Sequence, residues 1–204
     1  MTGHYLYSYV VSRDYGFAPN PFHGFCTLAT CKPRIRKSAD VGSWIVGTGS
    51  SAKTRRLGGH LIFAMRVTEI LDFDTYWQDP RFYCKRPNLH GSLMQAYGDN
   101  IYHIDSDTGL WVQKNSHHSY RDGSENLENK KHDLSSNRVL ISDDFYYFGK
   151  EAPKIPRRLA DKLCKKGASE KSKCFTKEFK NDVVAWLRTF CKTGYLGEPN
   201  DWQR

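Results

Sequence analysis

The sequence predicts an α+β fold: a mixed or largely antiparallel sheet curled into a partial β-barrel, with a helix packed against it near the C-terminal end. Three observations carry this. Runs rich in Val, Ile, Tyr and Phe recur at 5–11, 43–48, 60–71 and 137–147. Clusters of Gly, Pro, Asp and Asn punctuate the chain between them. Phe175, Phe179, Val183, Trp186, Leu187 and Phe190 recur at helical spacing, with Lys177, Lys180 and Arg188 outside the stripe.

Taken in order, Tyr5–Val11 reads as a strand. The loop after it holds Gly16, Pro19 and Pro21, which forbid a regular helix and stiffen the backbone around Phe17 and Phe22. Thr30–Ala39 reads as a short helix, because Pro33 suits a first-turn position and Asp40-Val41-Gly42 ends it. Strands follow at Ser43–Thr48 and His60–Leu71, the second alternating Leu61, Phe63, Met65 and Val67 on its core side. Asp72–Phe82 is a turn or short helix stopped by Pro80, with Phe73, Tyr76 and Trp77 on one side. Ile101–Gln113 is a hairpin about Asp105-Ser-Asp-Thr-Gly109, Lys114–Ser135 a long polar surface loop, and Asn137–Tyr147 again a strand. A single domain over 1–204 is expected, with 150–204 as a C-terminal helical extension.

Composition narrows the class. With 39% hydrophobic and 26% charged residues the chain is globular, and 14% aromatics suffice to line a pocket as well as fill a core. The net charge of +9 is uneven: residues 1–60 hold eight basic against two acidic side chains, 61–115 five against seven, and 116–204 eighteen against thirteen. Basic flanks attract polyanions, so a nucleotide or nucleic acid is the natural partner. No apolar run approaches the roughly 20 residues that span a bilayer, and the first residues carry no signal-peptide pattern. Six irregularly spaced cysteines do not make a disulfide scaffold, which points to reduced thiols and a cytoplasmic location.

The most informative stretch is Val41–Leu71, where a strand runs into a Gly/Ser/basic loop and out into another strand. Gly47-Thr-Gly-Ser-Ser-Ala-Lys53-Thr54 approximates the phosphate loop G-x-x-x-x-G-K-[S/T], but Ala52 replaces the last glycine and a strand, not a helix, follows. Two readings stay open: a loop that holds an anion through Gly49, Ser50, Lys53, Arg55 and Arg56, or a merely solvated basic loop. Lys32 and Arg34 on the short helix are candidates for the same phosphate role. Gly91–His103 gathers Tyr97, Asn100 and Tyr102, which with Phe22 form a candidate base-enclosing set. Asp99 with His103, and His132 from a second polar cluster at 132–138, form a candidate acid/base set, against a purely structural hydrogen-bonded loop. No metal or other cofactor is expected. Asp105 and Asp107 suit a turn, the adjacent His117 and His118 point to opposite sides of a strand, and the Cys26/Cys31 and Cys164/Cys174 spacings are too loose for a zinc knuckle.

The strings YVVSRDYG (9–16), FAPNPFHGFCTLATCKPRIR (17–36), Val41–Gly59, Gly91–His103 and Ser135–Phe145 together resemble the second family of nucleotide-modification-associated domains over nearly the whole chain. That resemblance implies work beside enzymes that modify nucleotides or bases in bacteria and phages. It brings no catalytic residues with it. Gly42–Val46 and Arg66–Ile70 are more loosely similar to PUA- and EVE-like modified-base readers, with Ser43 where those have an acid. The expectations are therefore a module that binds a modified nucleotide or nucleobase, or an enzyme that alters or removes such a modification with an Asp/His pair. The oligomeric state is left open.

Overall fold

In the computed structural model the described residues are 5–52, 57–164, 170–172 and 175–202. In chain order they form β1 (Leu6–Val11), β2 (Cys26–Leu28), α1 (Pro33–Ser38), β3 (Trp44–Gly49), β4 (Leu61–Arg66), β5 (Glu69–Leu71), α2 (Phe73–Gln78), α3 (Leu93–Ala96), β6 (Tyr102–Ile104), β7 (Trp111–Gln113), α4 (Leu127–Leu134), β8 (Val139–Ser142), β9 (Asp144–Tyr147), α5 (Arg157–Leu163), β10 (Glu170–Ser172), α6 (Lys177–Leu187) and β11 (Gly194–Tyr195). Short 3-10 turns at Pro80–Lys85 and Gly149–Glu151 complete the set. The chain sorts into two compact units, one of Met1–Asp14, Ala39–Thr68 and Ser142–Arg204, the other of Tyr15–Ser38 and Glu69–Ile141.

The first unit is built on a mixed sheet. Its five strands β1, β3, β4, β9 and β11 lie side by side in that order, and β10 adds antiparallel to the β1 edge. β1 and β3 run parallel from Leu6↔Trp44 to Val11↔Gly49, and β4 pairs antiparallel with both β3 and β9. Every residue of β1 and β3 is buried, as expected of strands covered on both faces. On one face Leu6, Trp44, Val46, Ala64 and Tyr146 pack with Leu159, Leu163, Phe179, Val183 and Leu187 of α5 and α6. The C-terminal stripe is thus core. Thr176 caps α6 by accepting from the Phe179 N–H.

The partial barrel expected from the sequence does not form. The sheet is open, and its end strands β10 and β11 are only three and two residues long and pair with inner strands, not with each other. Closure needs long tilted strands with a consistent stagger, and these edges are too short to provide it. Two further expectations are corrected. The strand expected over His60–Leu71 divides at Val67–Thr68, β4 joining the large sheet and β5 pairing with β8. The polar segment 114–135 holds a helix, α4, with Asn126 accepting from Asn129 N–H as its cap. Asp133 is its one buried residue among those described, so no apolar period marks it in the sequence.

Two glycines are required by contact. Gly47 sits opposite Phe63 in the register, and a Cβ there would lie 2.1 Å from the ring. Gly149 has φ +51, and its Cβ would lie 2.0 Å from the Glu198 carbonyl oxygen, which is backbone and cannot turn away. Gly149→Ala is therefore expected to cost about 1–3 kcal/mol, read as a lowered urea midpoint.

The second unit holds the small sheet β2-β8-β5 and the hairpin β6-β7. Phe17, Ala29, Phe73, Tyr76, Phe82, Ile101, Tyr102, Val139 and Ile141 form its core. The hairpin turn is drawn in by Asp105, whose Oδ1 accepts from the Asp107 and Thr108 N–H groups. α2 begins at Asp72, which caps Thr75 N–H, and buries Phe73 and Tyr76. Among the described residues no helix is long and apolar enough to cross a membrane.

Candidate active site

The nominated residues fall in several places. In the first unit Gly49 ends β3, its N–H donating to the His60 carbonyl, and the Ser50 carbonyl accepts from Leu57. Lys53, Arg55 and Arg56 lie outside the described residues. In the second unit Lys32 is half-buried at φ +40 just before α1, and Arg34 is exposed on that helix. His132 is exposed on α4. Phe22 is buried, and Asn100, also buried, donates through its amide to the carbonyls of Tyr76 and Phe82.

Asp99 and His103 have different surroundings. Asp99 is fully buried, its Oδ2 accepting from Thr27 Oγ1 at 2.7 Å and its Oδ1 from the Tyr76 hydroxyl at 2.8 Å. The equally buried Lys85 ammonium donates to Asn20 Oδ1 at 2.6 Å and to the carbonyls of Asn20 and Phe25. Burial raises the Asp99 carboxyl to about 6, against the pull of Lys85 and the two hydroxyls. These bonds hold Asp99 and Lys85 in the interior among neutral hydrogen-bond partners. His103 instead stacks on Trp77 with centroids 4.1 Å apart.

A different constellation stands at the end of β2. The chain leaves that strand through a sharp turn in which Cys31 and Lys32 take φ +58 and +40, a conformation non-glycine residues rarely adopt, and then enters α1. A strand-to-helix turn strained in this way holds out a nucleophile in many hydrolases. Cys31 Sγ lies 3.6 Å from His118 Nε2. His118 Nδ1 lies 2.7 Å from Asp133 Oδ2, an oxygen that also accepts the Tyr102 hydroxyl at 2.9 Å. Asp133 Oδ1 accepts the Cys31 N–H at 2.7 Å. One buried carboxylate thus orients the imidazole and fixes the backbone of the thiol it faces. The order thiol, imidazole, carboxylate is that of a nucleophile, its base and the group that sets the base's tautomer.

The frame around this triad is Arg36, fully buried on α1. Its Nε donates to the Cys31 carbonyl at 2.9 Å, its two terminal nitrogens to the carbonyls of Ser136 (2.7 Å), Arg138 (2.8 Å) and Asp133 (2.5 Å). Burial lowers its pKa to about 10, offset by Asp133, so the guanidinium is charged at neutral pH. Gln113 Nε2 donates to the Tyr102 hydroxyl, and Asn129 Nδ2 to the His118 carbonyl, which locks the histidine loop onto α4. Beside the triad is a group of rings. Tyr15 stacks on Tyr97 with centroids 5.1 Å apart, His117 meets both at 4.8 and 5.2 Å, and Phe17 touches His117 and His118 at 5.1 and 4.7 Å.

The two adjacent histidines are oppositely tuned. Burial lowers the His118 pKa, but its hydrogen bonds to Asp133 and Cys31 outweigh that and raise it to about 9. His117, exposed at the edge of the ring group, is lowered to about 4, first by the desolvation its neighbours impose and then by the charge on His118. A raised histidine pKa adds stability that is fully present below its ordinary value of 6.5 and is lost as pH rises through about 9. Unfolding free energy is therefore expected to fall by on the order of 2–3 kcal/mol between pH 6.5 and 9. The windows of Asp99 and His117 lie below that interval. Urea titrations of the wild type and of His118→Gln, which should lose that slope, check it.

Cys31, His118 and Asp133 were not assembled from the sequence. The thiol and imidazole are 87 residues apart and the imidazole and carboxylate 15. Read singly, Cys31 suits a helix start, His117-His118 a surface pair and Asp133 a polar cluster. The signal that could have joined them is a cysteine just before a Pro-initiated helix in a chain with distant histidines. The family described as nucleotide modification associated domain 2 matches residues 3–204. No curated protein and no solved structure matches the chain.

Proposed function

The chain belongs to the nucleotide modification associated domain 2 family, and from that premise we propose that it is a thiol-nucleophile enzyme acting on a modified nucleobase or nucleotide. The observation that carries the reading is the Cys31–His118–Asp133 array. Such an array attacks electrophilic carbon, which makes an acyl or amide-type modification the natural substrate. The proton shared by the pair rests on His118, so sulfur adds to the carbon as thiolate, and collapse of the adduct expels an amine or alcohol that the imidazolium protonates. Water then hydrolyses the thioester by the reverse proton path. Asp133 keeps the imidazole in the tautomer this requires.

Recognition of the base is assigned to the rings of Tyr15, Tyr97 and His117, since stacking contributes about 1–3 kcal/mol per base. Lys32 and Arg34, either side of the first helical residue after Cys31, are proposed to meet phosphate, and Gly49, Ser50, Lys53, Arg55 and Arg56 are kept as a separate proposed anion contact. The setting proposed is a bacterial or phage modification or defence system, with the thiol kept reduced in the cytoplasm. The ring group also supports a second reading, a pure binding module for a modified base, in which Cys31 does no chemistry.

One experiment separates them. The purified chain is incubated with nucleosides, nucleotides and oligonucleotides bearing acylated or amide-modified bases, and products and Cys31 adducts are followed by mass spectrometry. Wild type is expected to form product and Cys31→Ala to bind ligand without turning it over. Equal product from both proteins, or ligand binding with no product across the panel, would overturn the enzyme reading.

A further inference from the structure

A thiol nucleophile that attacks a carbonyl carbon needs donors for the oxygen that becomes negative, and the position most often used is already taken. The Cys31 N–H donates to Asp133 Oδ1 at 2.7 Å and is not available to a substrate. Two other hydroxyl donors are built into the same assembly. Thr30, the residue before the nucleophile, is fully buried, and its Oγ1 has no hydrogen-bond partner. Ser136 is 5% exposed, and its Oγ likewise has none. Arg36 binds the carbonyls of Cys31 and Ser136 at once, through Nε and a terminal nitrogen at 2.9 and 2.7 Å, which fixes the backbone carrying Ser136 close to that carrying the thiol.

Buried hydroxyls are nearly always paired, because each left unpaired forfeits its hydration. Two unpaired ones, one next to Cys31 in the chain and one on a backbone that Arg36 ties to it, call for a ligand atom to satisfy them. We infer that the Thr30 and Ser136 hydroxyls donate to the substrate oxygen at Cys31 and carry its charge when the tetrahedral adduct forms. The inference deepens the enzyme reading above and rests on it. It also names the substrate: a group with a hydrogen-bond-accepting oxygen on the attacked carbon, hence an amide, ester or thioester, rather than an alkyl or glycosidic carbon.

p-Nitrophenyl acetate is a probe that needs no knowledge of the natural substrate. The thiolate sulfur adds to its carbonyl carbon and the C=O electron pair moves to oxygen. The adduct then collapses, breaking the C–O bond and releasing nitrophenolate from an acetylated Cys31. Water afterwards hydrolyses the thioester to acetate. The rate of the nitrophenolate burst is measured for wild type, Thr30→Val and Ser136→Ala, with Cys31→Ala as background because Cys84 and Cys191 are exposed while Cys31 is half-buried. In parallel, Cys31 is alkylated with iodoacetamide, a displacement that builds no oxyanion. Removal of one donor is expected to slow acetylation by about 10²-fold while the alkylation rate stays within about twofold of wild type. Valine is isosteric with threonine, so loss of fold is not the expected cause, and an unchanged urea midpoint verifies it.

Acetylation at the wild-type rate in both variants would overturn the inference and leave the triad standing, as would equal slowing of acetylation and alkylation. A wild type with no Cys31-dependent burst at all would overturn the acyl-transfer reading and this inference with it.

Discussion

Asp133→Ala is expected to destabilise the protein by on the order of 3–5 kcal/mol and to abolish the turnover proposed for Cys31. The carboxylate is fully buried and accepts from the Cys31 N–H, the Tyr102 hydroxyl and His118 Nδ1. Alanine leaves all three donors in the interior without an acceptor, and one of them is an imidazolium, since His118 is raised to about 9 largely by this contact against the opposing effect of burial. A loss of that size is a large share of the 5–15 kcal/mol that holds a typical domain. The measurement is a urea unfolding curve at pH 6.5, where the His118 contribution is intact. A wild-type midpoint would show that Asp133 does not organise this region.

Asp133→Asn separates the catalytic from the structural part of that effect. It keeps the size of the side chain and one acceptor oxygen. If that oxygen stays with the Cys31 N–H, the amide nitrogen faces His118 and donates to Nδ1. The imidazole proton then moves to Nε2, so the base presents a hydrogen where it must accept one. Most of the fold should survive, with turnover down by about 10²–10⁴-fold. The acid limb of the pH–rate profile should shift as well, which simple loosening of the loop would not produce.

The second large effect is expected at Arg36. Arg36→Met should cost on the order of 3–5 kcal/mol, and Arg36→Lys should recover only a minor part of it. The guanidinium reaches four carbonyls, those of Cys31, Asp133, Ser136 and Arg138, from one rigid plane, and it lies 5.3 Å from the Phe73 ring centroid. An ammonium is a single point of charge and cannot span that set. Methionine fills the volume but leaves the carbonyls buried and unpaired. Because one of them belongs to Cys31, the turn that carries it should loosen too. Thermal unfolding reads the stability term, and a changed rate of Cys31 alkylation by iodoacetamide reads the turn. An Arg36→Lys protein with wild-type stability would refute the account.

Much of the fold is legible along the chain because it depends on local periodicity. The largely apolar runs of β1 and β3, the alternation in β4, the Asp105 turn and the α6 stripe each declare a buried face. α4 is not legible, since its sequence LENKKHDL has no apolar face and its one identified buried side chain is a carboxylate. Sheet closure is not legible either: strand runs declare their faces, whereas the length and partner of edge strands are settled by neighbours distant in sequence.

The candidate site divides along the same line. Tyr97, nominated to enclose a base, lies in the ring group beside the triad, and Tyr102, nominated with it, donates to Asp133. Asp99 drew attention as an acid among polar neighbours, yet both its oxygens are occupied by Thr27 and Tyr76 in the interior. Residue type alone does not show that a carboxylate will be buried, as Asp99 and Asp133 both are.

The sequence by itself determined the α+β class, the family, and the apolar faces of the principal strands and of α6, because these are written in residues a few positions apart. Only the tertiary structure decided which thiol, imidazole and carboxylate stand in one line. Hydrogen bonds reaching across 87 and 15 residues place them there, and an electrostatic partnership of that reach leaves no period in the chain.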